Sequence, residues 1–194
     1  MPKLWRDTIG EHQEEVRGAI LDATGQLAAE HGPLSLTMSQ IAEAAGIGRA
    51  TLYKYFADVE AVIQAWHERH VRSHVERMSR IADGPGDAIT RLEGVLVEYA
   101  TALSHSHQGD LGALLHRHTG MADAQRHLTA LLEGLITDAV QEGSVRSDVP
   151  ARELAAYCMH ALAASRHQRR SGASRRLVTV TLDGLAVAAR SAIR

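Results

Sequence analysis

An all-α fold is predicted by three features of this sequence. Apolar residues recur at helical spacing along nearly every segment. No segment alternates with the period of two that marks a half-buried strand. Near the N-terminus, two short helical patterns are joined by a tight glycine turn. Together they predict about nine helices. Residues 1–57 form a three-helix head and residues 58–194 a larger helical domain, with the first natural boundary near residue 57.

The elements follow in order. Val16, Ile20, Ala23 and Leu27 stripe the first helix, and Gly32-Pro33 stops it. Lys3 and Arg6 lie in a flexible segment before it. The second helix is TMSQIAEAAG, where Thr37 and Gln40 have the spacing of a capping box and Gly46 supplies the left-handed residue after the last turn. RATLYKYF makes the third. Asp58 caps a fourth that carries Val59, Val62, Ile63 and Trp66 and ends at DGPG, residues 83–86. Ile89, Leu92, Leu96, Tyr99 and Leu103 stripe the fifth. Leu111, Leu114 and Leu115 mark a short sixth. Leu128, Leu131, Leu132, Leu135 and Ile136 stripe the seventh, which Gly143 ends. Pro150 fits the first turn of the eighth, where a missing amide costs nothing. The ninth runs from about Ser174 to the C-terminus.

Composition narrows the function classes. At 194 residues with 45% hydrophobic and 23% charged side chains, the chain is long enough for a core without disulfides. Its single cysteine, Cys158, can form neither an internal disulfide nor a cysteine zinc site. The absence of an apolar run near the roughly 18 residues of a membrane span, and of a signal-peptide pattern at the start, predicts a soluble cytoplasmic protein with no membrane partner. A net charge of −2 means that nucleic-acid binding has to come from a local patch.

The helix pair near residues 37–56 supplies that patch. Ile41, Ala42 and Ala45 give a small apolar inner face, Gly46 turns the chain, and Ile47 and Leu52 face inward. Arg49, Ala50, Thr51, Tyr53, Lys54 and Tyr55 are left to face outward, beginning just after Gly48. Arg49 can fork onto guanine or a phosphate, and Ala50 or the Thr51 methyl can meet a thymine methyl. Tyr53, Lys54 and Tyr55 can donate to phosphates. Thr37 and Ser39, at the start of the second helix, form a phosphate clamp with its free amides.

The stretch TMSQIAEAAGIGRATLYKYF (37–56), followed by Asp58-Val59-Glu60-Ala61, resembles the DNA-binding signature of the tetracycline-repressor (TetR) family of bacterial transcriptional regulators. The pattern Ile41-Ala42, Ala45-Gly46-Ile47 and Leu52-Tyr53-x-Tyr55-Phe56 falls in register, and a weaker echo lies in GSVRSDVP (143–150) with Leu154-Ala155. The resemblance implies an all-helical homodimer, a palindromic operator bound by the N-terminal helices, and a small-molecule pocket in the C-terminal helices. Ligand binding then moves the fourth helix and releases the DNA. The sequence departs from the family where Val59 replaces a phosphate-contacting lysine, where Gly48 replaces a small polar residue, and at Ala50. The first 57 residues hold 5 Lys/Arg against 7 Asp/Glu, so the head is not basic overall.

Trp66, His70, Leu96, Tyr99, Leu103, Leu114, His118, Met121 and Leu135 are candidate linings of a pocket for an effector of unknown identity; most are equally good core residues. The stripes Leu154, Tyr157, Cys158, Ala161 and Leu162, and Leu177, Thr181, Leu185 and Ala188, suit two C-terminal helices that pair with a second copy of the chain. The chain has 12 histidines. His67, His70 and His74 share a helix face, and His105, His107, His116 and His118 form two H-x-H pairs. Solvated helix faces and loop ends explain both groups most simply. A metal-sensing repressor is the alternative, and a metal-dependent helical enzyme a further one. There is no G-x-S-x-G, no H-E-x-x-H and no phosphate-binding glycine loop, so neither catalysis nor a required cofactor has a motif behind it.

Overall fold

The computed structural model describes residues 3–105, 119–167 and 172–187. Among them run eight α-helices: α1 (Lys3–His31), α2 (Met38–Ala44), α3 (Arg49–Tyr55), α4 (Val59–Ala82), α5 (Ala88–His105), α6 (Thr119–Gln141), α7 (Ala151–Leu162) and α8 (Ala173–Leu185). Short 3-10 turns lie at Pro33–Ser35 and Ala163–His167. No strand occurs among the described residues, only one antiparallel bridge between Val145 and Ala186. The short helix expected around Leu111, Leu114 and Leu115 lies outside the described residues. The expected flexible start is corrected: α1 begins at Lys3. Once a helix is nucleated, each further residue costs little, and between Lys3 and Val16 only Gly10 opposes extension.

The chain divides into two compact units, and the division falls inside α4, between His70 and Val71. Residues 59–70 of α4 therefore group with the N-terminal head and residues 71–82 with the remainder.

The head is built on an apolar cluster of Ile20, Leu21 and Ala28 from α1, Leu36, Met38, Ile41 and Ala42 around α2, Leu52 from α3 and Phe56 just after it, and Val62 and Ala65 from α4. Thr24 is fully buried in α1, and its hydroxyl donates to the Ile20 carbonyl at 2.7 Å, so no polar group is stranded there. Asp58 caps α4 as its position predicts, its Oδ1 accepting from the Ala61 amide at 2.8 Å.

The second unit packs α5 through α8 and the end of α4 around Leu92, Val95, Leu96, Leu132, Ile136, Ala155, Leu162 and Leu185. Asp87 caps α5 by accepting from the Thr90 amide at 3.0 Å, and Glu142 accepts from the Ala88 amide at 2.9 Å. The Gly143–Asp148 segment has a plain structural job. Gly143 takes φ +77 after α6, and the Gly143 and Ser144 amides donate back to the Val140 and Ala139 carbonyls. Arg146 then grips Asp148 through two hydrogen bonds of 2.7 Å, and its own amide donates to the Leu185 carbonyl at 2.9 Å. The connector between α6 and α7 is thereby tied to the end of α8. Pro150 sits at the N-cap of α7, one place before the first turn.

The stripes read as a pairing face point inward instead. Leu154, Cys158, Leu162, Thr181 and Leu185 are all buried within the chain's own fold, and Leu177 and Ala161 are half-buried. They offer little to a second copy, because the more apolar stripe of each helix is taken by the core first. Tyr157 alone of that set is largely exposed, and Val180 and Val187 join it as exposed apolar groups on and just beyond α8. Ala188 lies outside the described residues.

One polar group anchors α4 to α5. His74 is buried, and its Nδ1 lies 2.6 Å from Glu98 Oε1. Arg77 donates from Nε to the same oxygen at 2.8 Å and from Nη1 to Ser73 Oγ at 2.7 Å. Burial pushes the Glu98 carboxyl up, but the hydrogen bonds from Arg77 and His74 and their charges outweigh it and hold the group below its ordinary value. A depressed carboxylate adds stability above its unfolded pKa and loses it as pH falls through the folded value. Glu98→Gln should therefore lower the melting temperature at neutral pH, at a cost of about 1–3 kcal/mol. The gap between variant and wild type should close as the pH is taken below the carboxylate range. Thermal melts across pH check this; a gap of constant size would show that the Glu98 charge is not what holds the contact.

Candidate nucleic-acid interface

The α2–α3 corner is specified residue by residue. Thr37 is extended (φ −125, ψ 153) and caps α2. The Gln40 amide donates to Thr37 Oγ1 at 3.3 Å, while Gln40 Oε1 accepts from the Thr37 amide at 2.9 Å and from its hydroxyl at 2.7 Å. Two orphan amides of the first turn are thus satisfied reciprocally. At the far end Gly46 takes φ +66. Its amide donates to the Glu43 carbonyl and the Ile47 amide to the Ala42 carbonyl, both at 3.0 Å, which is the Schellman closure. Gly48 (φ −70, ψ 146) then starts α3, its carbonyl accepting from Thr51 and Leu52. Ile41, Ala42 and Leu52 are buried between the two helices and pin their crossing.

With Leu52 inside, α3 turns Arg49, Ala50, Tyr53 and Lys54 to solvent and leaves Thr51 half-exposed. Tyr53 retains 49% of its surface. Neither Arg49 nor Lys54 is paired with an acid among the described residues. Two members of the expected contact set differ. Tyr55 is half-buried and packs on the head's core, because it lies three residues from Leu52 and shares its face. The Thr37 hydroxyl hydrogen is spent inside the capping box, so Ser39, exposed beside it, is the freer donor. Val59 packs inward on the same core.

A cation overlooked in the sequence stands beside this corner. The Arg17 guanidinium of α1 sits over the Phe56 ring, 4.7 Å from its centroid. No helical periodicity signals such a contact, because its two partners are 39 positions apart.

The remaining candidates are dispersed. Trp66 is half-buried on α4 against Gly25 of α1, where a Cβ would come within 2.8 Å of the indole nitrogen. Arg69 reinforces the contact, donating to Asp22 at 2.6 Å. The Trp66 and His70 rings stack 6.0 Å apart. Leu96, Leu103 and Leu135 are core residues of the second unit. Tyr99 is partly buried there, and burial raises its hydroxyl pKa against an opposing effect of Arg166. Leu114 and His118 lie outside the described residues, as does the side chain of Met121. His70 stacks on Trp66 and His74 is engaged with Glu98, while burial lowers the His67 pKa and favours its neutral ring. Among the described residues no three His, Cys, Asp or Glu side chains are placed to hold a metal. His107, His116 and His118, and the side chain of His105, fall outside them. Cys158 is buried and its thiol is pushed up to about 12 by burial, so it is a core group with little thiolate character. No described helix is long and apolar enough to cross a membrane.

The corner makes two opposed predictions. At Gly46 a side chain has space but the wrong φ, so Gly46→Ala should cost about 1 kcal/mol. At Gly48 the φ is ordinary and an added Cβ meets only Thr51 Oγ1 at 3.9 Å. Gly48→Ser should therefore stabilise by a few tenths of a kcal/mol through its N-cap hydroxyl. Melting temperatures that move in the same direction for both variants would contradict the geometry.

Comparison with known proteins agrees with this architecture. Residues 20–65 match the model for bacterial regulatory proteins of the tetR family, and residues 84–187 match the C-terminal domain of SbtR-like transcriptional regulators. An HTH-type transcriptional regulator of Mycobacterium tuberculosis is 41% identical over 85 residues, a match spanning 43% of this chain and 40% of that protein. The HTH-type transcriptional repressor KstR2 of Rhodococcus jostii is 27% identical over 196 residues, covering 93% of this chain and 95% of the repressor. A crystal structure of a TetR/AcrR-family regulator from Thermobifida fusca superposes with a TM-score of 0.74 at 23% identity, over 87% of this chain and 97% of that one. The match of residues 20–65 to the tetR-family model, together with a C-terminal domain match that spans more than half the chain, shows that the protein belongs to the tetR family of bacterial transcriptional regulators.

Proposed function

We propose that this regulator is a ligand-responsive repressor that binds a palindromic operator as a homodimer and releases it when a small molecule binds. Residues 1–57 serve as the DNA-binding domain and residues 58–194 as the ligand-binding and dimerisation domain. The observation that carries the DNA reading is the exposed, acid-free face of α3, held outward by a buried Leu52. Arg49 reads a base edge, Ala50 and Thr51 offer methyl groups to thymine, and Tyr53, Lys54 and Ser39 hold phosphates. The repressor reading is supported by the similarity to KstR2 along nearly the whole chain. Pairing through the outward face of α7 and α8, around Tyr157 and Val180, supplies the second reading head. Half-sites then lie about one helical turn, or a modest extension of it, apart. The effector response runs through α4, which is continuous from the head into the second unit.

Selection of bound fragments from genomic DNA at moderate salt tests the reading, with a palindrome as the expected product. Arg49→Ala should relax base preference at one position of that site, at a cost of about 1–3 kcal/mol there. Lys54→Ala should weaken all sequences about equally and reduce the salt dependence. Equal losses for both variants on every sequence would overturn the assignment of roles.

A further inference from the structure

The proposed DNA-binding face is short of cations. Between Gly32 and Gln64 the only lysine and arginine are Lys54 and Arg49. Duplex binding draws most of its strength from neutralised phosphates, so two cations make a sparse set. Arg17 lies outside that stretch in sequence but beside it in space. Its guanidinium rests over the ring of Phe56, the residue that caps the C-terminal end of α3.

Two observations leave Arg17 open to a further partner, unlike Arg69, which is paired with Asp22. Of the nearby acids of α1, Glu15 lies 3.7 Å from His12 and Asp22 pairs with Arg69 at 2.6 Å, and no ion pair joins Arg17 to Glu14, three residues before it. No hydrogen bond or ion pair joins Arg17 to any described residue. The ring therefore steadies the positive charge through its negative face, yet leaves the five N–H donors of the guanidinium without an oxygen acceptor among the described residues. A helix about 10–12 Å across nearly fills a major groove about 12 Å wide, so groups flanking α3 meet the sugar-phosphate walls.

We propose that Arg17 is a phosphodiester anchor, held ready by Phe56, that grips the DNA backbone beside the C-terminal end of α3. This rests on the DNA-binding reading of α3. Arg17 fixes register and adds affinity, and carries no sequence preference of its own. The arrangement lowers the ordering cost of a long side chain, because the ring restricts it before DNA arrives.

The experiment measures equilibrium binding against salt for wild type, Arg17→Met, Arg17→Gln and Arg17→Lys. Two probes are used: a duplex carrying the selected site and a scrambled duplex of equal length. Methionine keeps an apolar stem over Phe56, so the core remains covered while the charge is lost; circular dichroism melts verify that each variant is folded. The expected result is a plot of log K against log salt that is shallower by about 1.8 for Arg17→Met and Arg17→Gln, on both duplexes alike, because a homodimer carries two copies of Arg17. Arg17→Lys should recover most of the slope. A folded Arg17→Met with the wild-type slope overturns the proposal, as does a loss confined to the selected site. Wild-type protein that binds neither duplex in a salt-dependent way overturns the DNA reading itself, a result distinct from a failure of Arg17 alone.

Discussion

The site depends on one constraint, the fixed angle between α2 and α3. A left-handed residue at Gly46 closes α2, and Ile41, Ala42 and Leu52 lock the corner from inside. Every outward feature of α3 follows from that inward set. A helix presents residues three and four apart on one face, so burying Leu52 forces Arg49, Ala50, Tyr53 and Lys54 toward solvent and draws Tyr55 and Phe56 partly or wholly inward. The corner would lose its aim before it lost its charges, because helix direction is held by close-packed apolar atoms that cannot shift independently.

α4 is held by different chemistry along its length. In the head, Trp66 enters the notch at Gly25 and Arg69 pairs with Asp22. In the second unit, His74 and Arg77 converge on Glu98 while Met78 and Ala82 enter the core. Packing against glycine tolerates little sliding, and leaving a partner of the Glu98 cluster unsatisfied costs about 1–3 kcal/mol. Each part of α4 is thus fastened within its own unit, by apolar packing and an ion pair in the head and by a polar cluster and the core in the second unit.

The legible parts of the fold were those decided by neighbours in sequence. The capping box at Thr37 and Gln40, the turn at Gly46, the cap at Asp58 and the close of α6 at Gly143 are all contacts within a few residues, and each stands where its residue type places it. The reach of α1 back to Lys3 was not legible, because helix extension carries no signal beyond the absence of a breaker. The surroundings of the histidines were not legible for a related reason. Spacing puts His67, His70 and His74 on one face, but the partners that claim them, Glu98 among them, come from elsewhere in sequence or from their own packing.

By itself the sequence determined the helical class and the helix-turn-helix corner, since periodicity, caps and turn glycines act through local backbone geometry; the family entered as a resemblance of residues 37–56 to a known signature, which the family matches bear out. Tertiary structure decided which of two apolar stripes becomes core and which becomes surface. On α7 and α8 the stripe read as a pairing face is the chain's own interior, and Tyr157 and Val180 remain outside. It also decided that Arg17 meets Phe56 across 39 positions, and that Tyr55 turns to the core. Such choices depend on the competition of every apolar surface for the same limited interior, and no local pattern records the outcome of that competition.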